Sequence, residues 1–198
     1  MEVSKTDLRK IFAGNRRSLN ENERRMLSAQ ICRNIEETEI FRNSLCVAFY
    51  AADDSEVDLW ELFDKYNGSK KFFLPRYKRE EKIYEMVQIH DRLQDLVIGK
   101  YGIPEPGKEL RNADSQEYKC MLYLVPGVAF DSRCQRLGRG KGFYDRLLLN
   151  AEFSMGIFYE CQRFEGEIPS EPHDIKLDMI VTEKQIYTFP AERKQCRI

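Results

Sequence analysis

No stretch of this chain reaches the ~18 consecutive apolar residues of a membrane span. The opening Met1-Glu2-Val3-Ser4-Lys5 has no apolar segment of the kind that marks a secretory signal. A cytoplasmic protein with no membrane partner is therefore expected. Net charge is nearly absent as well: 32 Lys and Arg against 33 Asp and Glu leave −1. No global field draws such a chain to nucleic acid, and any anion site has to be local. With only two histidines, His90 and His173, a histidine metal centre is not expected, and His90 reads as a surface residue. The six cysteines, at 32, 46, 120, 134, 161 and 196, show no C-x-x-C and no metal-ligand spacing. Cys32, Cys46, Cys120 and Cys161 lie in apolar or periodic runs and read as small buried hydrophobes in a reducing compartment. Internal repeats, low-complexity tracts and linkers are missing too, so the 198 residues are expected to form one domain with a sizeable core.

What is present alternates between helical and strand-like patterns. Ser4 with Asp7 resembles a capping pair opening a helix to about Arg17, and Asn20 with Glu23 opens a second. In that second helix Leu27, Ile31 and Ile35 recur every four residues and form one apolar stripe. The run 45–50 is continuously apolar and predicts a buried strand. A helix is expected over 57–66, a short strand over 72–74 stopped by Pro75, and a half-buried strand over 84–89. The segment 101–108, rich in proline and glycine, predicts loop. Strands over 121–125 and 155–159 flank a helix over 142–150, and 180–181 with 186–187 suggest a final strand or hairpin. This alternation predicts a three-layer α/β/α fold: an open, mostly parallel sheet with helices on both faces.

The densest signal is Arg136-Leu137-Gly138-Arg139-Gly140-Lys141-Gly142-Phe143-Tyr144-Asp145. Three glycines alternate with two cations ahead of a helical pattern. Glycine lets backbone N–H groups approach an anion, a helix N-terminus favours negative charge, and Arg139 and Lys141 add charge-assisted contacts. The spacing is neither a Walker loop nor a dinucleotide fingerprint, because Phe143 follows Gly142 and one residue separates the last two glycines. A basic surface loop is the competing reading. A second is a non-catalytic nucleotide- or RNA-binding module using this basic loop, with Phe143 and Tyr144 as stacking rings among Arg133, Arg136, Arg139, Lys141 and Arg146. The small net charge and the missing RNP pattern argue against it.

Read together, Val125-Pro126-Gly127-Val128-Ala129-Phe130-Asp131 and the glycine segment resemble the signature of the 5-formyltetrahydrofolate cyclo-ligases, also called 5,10-methenyltetrahydrofolate synthetases. Lys5 with Arg9, Glu56-Val57-Asp58, Pro75-Arg76-Tyr77, Ile103-Pro104-Glu105-Pro106 and His173-Asp174 with Asp178 resemble further family motifs in the family order. Two positions depart from the pattern. Phe143 stands where the family usually has tyrosine, and Cys134 where a turn usually carries glycine. A non-glycine residue tolerates positive φ poorly, so that hairpin is expected to use another turn type.

The resemblance implies an ATP-dependent ligase that closes 5-formyltetrahydrofolate to 5,10-methenyltetrahydrofolate, releasing ADP and phosphate, with Mg²⁺. It implies Lys141, Arg139 and Tyr144 as catalytic residues. Contacts to ATP would come from Lys5, Arg9, Arg76 and the run Arg136, Leu137, Gly138, Arg139, Gly140, Lys141, Gly142, Phe143 and Tyr144. Ala51, Glu56 and Tyr144 would meet the folate, and Asp145 and Asp174 would hold Mg²⁺. The partners implied are a reduced folate and ATP, acting on a monomer. Apart from the resemblance, Lys5 and Arg9 read as a solvated helix face, and Asp145 equally well as a helix-end carboxylate. A different enzyme on a similar sheet, such as a phosphosugar isomerase or acyl-CoA transferase relative, is the remaining alternative.

Overall fold

The structure is a computed structural model describing residues 3–78, 80–81, 83–99 and 102–188. Cys196 and Tyr101 fall outside the described residues. Three helices lead the chain: α1 (Lys5–Ser18), α2 (Glu21–Glu37) and α3 (Glu39–Asn43). Their starts follow the sequence chemistry. Ser4 Oγ accepts from the Asp7 N–H, and Asn20 with Glu23 closes a full capping box.

The strand β1 (Cys46–Ala48), helix α4 (Trp60–Tyr66), and strands β2 (Lys71–Lys78) and β3 (Ile83–Ile89) follow. A two-stranded sheet follows, β4 (Leu96–Ile98) with β5 (Pro104–Pro106), and β5 occupies part of the stretch expected to be loop. Next come α5 (Ser115–Lys119), β6 (Met121–Val125), β7 (Ala129–Asp131) and β8 (Arg136–Leu137). Helix α6 (Phe143–Leu147) passes into a 3-10 turn at Leu148–Asn150. The chain closes with β9 (Phe153–Ile157), β10 (Arg163–Phe164), β11 (Met179–Val181) and β12 (Ile186–Thr188).

The main sheet runs β12-β11-β9-β6-β1-β2-β3. Its five inner strands are parallel and its two edges, β12 and β3, antiparallel. Both faces are buried, which explains the unbroken apolar runs at 46–50 and 121–125. On one face Val47, Phe72, Leu122 and Met155 pack with Ile31 and Ile35 of α2 and Leu62 and Phe63 of α4. On the other, Ala48, Phe73, Tyr123 and Val125 meet Leu147 and Leu148 of the α6 segment. A three-stranded sheet, β10-β7-β8, packs beside α1 through Val128, Ala129, Leu137, Leu8 and Phe12.

Pro75 does not stop β2, and the topology supplies the reason. The Phe73 carbonyl turns toward β1, where it accepts from the Phe49 N–H at 2.9 Å. Alternation places Pro75's missing N–H on that same side, where β1 has already ended. Beyond that point the hairpin continues on β3 alone, with Pro75 opposite Met86. Cys134 also departs from expectation, since it adopts φ +59, the left-handed conformation a glycine would take. The turn type is therefore kept although the glycine is not. Cys120, at the C-terminus of α5, is exposed and Cys161, in the 3-10 turn after β9, is half-buried rather than fully buried. Among the described residues no helix is long and apolar enough to cross a membrane.

Candidate active site

Strand order decides where the functional side chains meet. From β1 the chain moves to β2 on one side, and then returns to β6 on the other before stepping outward to β9 and β11. The β1–β6 pair is thus the switch point of the sheet, and open α/β sheets bind ligands in the crevice beyond the strand carboxyl ends there. Two segments emerge at that crevice, 49–59 after β1 and 126–142 after β6. They are joined by charge: Arg139 Nη2 lies 2.7 Å from Glu56 Oε1 and also pairs with Asp53. Burial would lower the Arg139 pKa, but Glu56 and Asp53 raise it. Burial would likewise raise the Asp53 carboxyl. Hydrogen bonds from Ser55 and from Arg139 overcome that and bring it down to about 2.

Helix α1 lies along the glycine loop. Lys5, Arg9, Phe12 and Arg16 share one face at helical spacing. Arg9 Nε donates to the Gly138 carbonyl at 2.8 Å. A Cβ on Gly140 would sit 3.4 Å from the Arg9 guanidinium carbon, and φ there is +86. At Gly138 a Cβ would come within 2.6 Å of Arg136 Nη1, so a side chain there would displace that guanidinium. Lys5 Nζ bonds Asp174 Oδ2 at 2.6 Å. Burial would lower the lysine's pKa and raise that of the aspartate, but their pairing reverses both shifts. Arg136, only 4% exposed, pairs with Asp145 Oδ1 at 2.9 Å and leaves its buried Nε without a partner. Its guanidinium lies 5.5 Å from the Tyr144 ring centroid. Burial pushes the Tyr144 phenol up strongly and Glu56 adds to this, while Arg136 and Arg139 pull the other way.

An anion-ready glycine loop, a basic helix face and an acidic pair at one switch point form a set that can be compared with known proteins. The pattern of the 5-formyltetrahydrofolate cyclo-ligase family matches residues 1–183. The chain belongs to the 5-formyltetrahydrofolate cyclo-ligase family. It is accordingly a ligase of folate one-carbon chemistry. A probable 5-formyltetrahydrofolate cyclo-ligase of Schizosaccharomyces pombe is 31% identical, covering 94% of this chain and 98% of the relative. The Haemophilus influenzae 5-formyltetrahydrofolate cyclo-ligase is 30% identical over 89% of this chain and 95% of its own. The solved 5,10-methenyltetrahydrofolate synthetase of Aquifex aeolicus superposes with a TM-score of 0.82 at 35% identity, covering 96% of this chain and 94% of the other.

Within this cyclo-ligase fold, Lys5, Arg9, Arg136, the glycine run 138–142, Tyr144, Asp145 and Asp174 come together, with Glu56 reached through Arg139. Ala51 lies half-buried in the segment after β1. Three of the expected ATP contacts have partners within the protein itself. Leu137 buries its side chain in the cluster that seats α1, and its carbonyl accepts from Val128 N–H. Phe143 turns its ring toward Tyr84, 3.9 Å between centroids. Arg76 is bonded to Glu85 Oε1 at 2.6 Å, to Asn112 at 2.8 Å and to the Gly107 carbonyl. The Glu85 carboxylate, 9% exposed, requires a cation, and Arg76 supplies it. The strand leading straight into the glycine loop is β8, a two-residue strand, not β6. The helix that follows has five residues, so its dipole contributes little, and an anion held there would rely on backbone N–H groups and cations.

Asp145 Oδ1 accepts from the N–H of Ile175, the residue after Asp174, at 3.5 Å. Among the described residues no group of three or more His, Cys, Asp or Glu could hold a metal. Mg²⁺ needs only one or two carboxylates when phosphate oxygens complete its shell, so this hard-oxygen pair fits it beside a triphosphate. The sequence reading missed Arg16 and Asp53. Arg16, 7% exposed, lies 3.6 Å from Glu56 Oε1 and donates to the Gly127 carbonyl at 3.2 Å. The i, i+4, i+7, i+11 spacing was its signal, masked because an arginine in a last helical turn also suits the dipole. Asp178 accepts from the Ser154 N–H and hydroxyl, each at 2.8 Å, and fastens the start of β9.

Proposed function

We propose that the chain converts 5-formyltetrahydrofolate and ATP to 5,10-methenyltetrahydrofolate, ADP and phosphate. The observation that carries this reading is the junction of the glycine loop with the segment after β1, through Arg139, Asp53 and Glu56. It unites a phosphate-binding loop with a carboxylate suited to a pterin's N–H groups.

A formamide oxygen is a poor leaving group until the γ-phosphoryl group is transferred to it. The neighbouring folate nitrogen then attacks the activated carbon, the ring closes and phosphate departs. Such a reaction needs positioning and charge neutralisation more than a protein nucleophile. The N–H groups of 138–142 with Lys5, Arg9, Arg136 and Lys141 would hold the triphosphate. Arg139 and Lys141 would neutralise charge developing on the transferred group. Glu56, held between Arg16 and Arg139, would orient the pterin. Tyr144 keeps its proton through burial, which suits it to donate a hydrogen bond to the formyl oxygen rather than act as a base. Asp145 and Asp174 would hold Mg²⁺, which supplies further charge neutralisation on the phosphates. Those carboxylates now pair with Arg136 and Lys5, and a bound triphosphate would draw both cations to itself.

The test is spectrophotometric, because methenyltetrahydrofolate absorbs in the near ultraviolet where its formyl precursor does not. Purified protein should develop that band only with ATP and Mg²⁺ present. We place the protein in the cytoplasm as a monomer. The RNA-binding alternative is weakened because Arg133, Arg136 and Arg139 are each committed to acidic partners, leaving little free charge to meet a polynucleotide backbone.

A further inference from the structure

Two arginines face the Asp53–Glu56 pair, and they are held in opposite ways. Arg139 belongs to the glycine loop, is 47% exposed, and makes the short contact, 2.7 Å to Glu56 Oε1. Arg16 comes from α1, is 7% exposed, and stands farther off, 3.6 Å from Glu56 Oε1 and 3.9 Å from Asp53 Oδ1. Arg16 is anchored. Its Nη1 donates to the Gly127 carbonyl at 3.2 Å, and that carbonyl also accepts from Gln162 Nε2 at 2.9 Å. Glu56 is fixed as well. Its Oε2 accepts from the Asp53 N–H at 3.2 Å, and the Tyr159 hydroxyl donates to its carbonyl at 3.1 Å. Of the two cations, Arg139 is therefore the one with freedom to turn toward a phosphate.

A triphosphate in the loop and the acidic pair compete for Arg139. When Arg139 turns to the phosphates, Glu56, whose side chain is 9% exposed, still needs a cation, because an uncompensated carboxylate at that depth is costly. We propose that Arg16 is the positioning residue that takes over Glu56 when ATP draws Arg139 away, and that this hand-over makes the two substrates bind synergistically. While Arg139 bonds Oε1, that oxygen is closed to a pterin N–H. At 3.6 Å Arg16 balances the charge without occupying the lone pairs, since the distance exceeds that of a hydrogen bond. Nucleotide thus opens the folate side, and linkage requires the folate to tighten nucleotide binding by the same factor. The inference rests on the cyclo-ligase reading above and adds a coupling between its two substrates.

The test is calorimetric titration with 5-formyltetrahydrofolate, with and without a saturating non-hydrolysable ATP analogue and Mg²⁺. In wild type the analogue should tighten folate binding, by a factor in the ~5–150-fold range usual for coupled sites. Arg16→Gln should lose most of that factor, and Arg16→Lys, which keeps the charge, should recover part of it. In turnover at saturating ATP, Arg16→Gln should raise the folate KM more than it lowers kcat, whereas a purely structural defect would lower the active fraction and leave KM alone. Arg139→Gln gives a second route should Arg16→Gln fail to fold: without the competing guanidinium, the analogue should add little to folate binding. No coupling in wild type, or wild-type coupling in Arg16→Gln or in Arg139→Gln, would overturn the hand-over while leaving the reaction standing. Coupling that both variants lose, in a protein that forms no methenyl product, would keep the hand-over and sink the reaction.

Discussion

Lys141 lies exposed between two glycines of positive φ, Gly140 and Gly142, and has little part in the core. Lys141→Ala should weaken ATP binding by the ~1.5–3 kcal/mol of a charge-assisted contact and leave the urea midpoint unchanged. ATP titration of purified protein measures the first and denaturation the second. Asp145 makes a contrasting case. A carboxylate that only decorates a helix end contributes ~0.3–1 kcal/mol. Asp145 neutralises a guanidinium that is 4% exposed, so Asp145→Asn should cost roughly 1–3 kcal/mol and should also raise the Mg²⁺ concentration needed for turnover. Parallel urea melts and Mg²⁺ titrations separate the two effects.

The turn between β7 and β8 shows how an element can outvote a residue. Cys134 adopts φ +59 with its side chain fully buried, and the Leu177 N–H bonds its carbonyl at 3.0 Å. The left-handed conformation costs about 1–2 kcal/mol, and the buried thiol offsets part of that. Cys134→Gly should therefore change stability by less than about 1 kcal/mol, relief of strain opposing lost packing and added chain entropy. Cys134→Val should destabilise by about 2 kcal/mol or more, because a β-branched side chain is least tolerant of that φ. Chemical denaturation of both variants checks the order.

At the scale of the molecule, carboxylates held low report on acid stability. Asp53 and Glu117 both fall to about 2, from ordinary values of 3.8 and 4.5. For Glu117 the Arg111 hydrogen bonds are the chief cause, with Lys71 assisting. A depressed carboxyl takes up its proton less readily folded than unfolded. Its stabilisation is complete above about pH 4.5 and is lost as pH falls toward about 2. Acid titration followed by circular dichroism should show unfolding within that window, and Asp53→Asn should flatten its contribution. Ligand linkage gives a second whole-molecule prediction. ATP and a non-hydrolysable analogue should raise the thermal midpoint by mass action, whereas single-stranded RNA at physiological salt should not. A shift with RNA and none with ATP would overturn the enzyme reading.

Local chemistry in the sequence was enough to place the capped helices α1 and α2, the strand Met121–Val125, the closing hairpin and the glycine loop. Each is encoded by neighbours: a cap three residues from its partner, an apolar run buried on both faces, and, in the loop 138–142, glycines where φ is positive or a guanidinium crowds the backbone. The parallel sheet followed from alternation, and the family from motifs in order. Continuation of β2 through Pro75 depended on where β1 ends, a fact about another strand. Arg76 was drawn to Glu85 and Asn112 by a buried carboxylate that pairing brings opposite it. Arg16 and Asp53 entered the site because the switch between β1 and β6 folds segments more than 80 residues apart into one crevice. Charge meets charge there only after the sheet is ordered, and that is why the tertiary structure, and not the sequence, decided which arginine serves which acid.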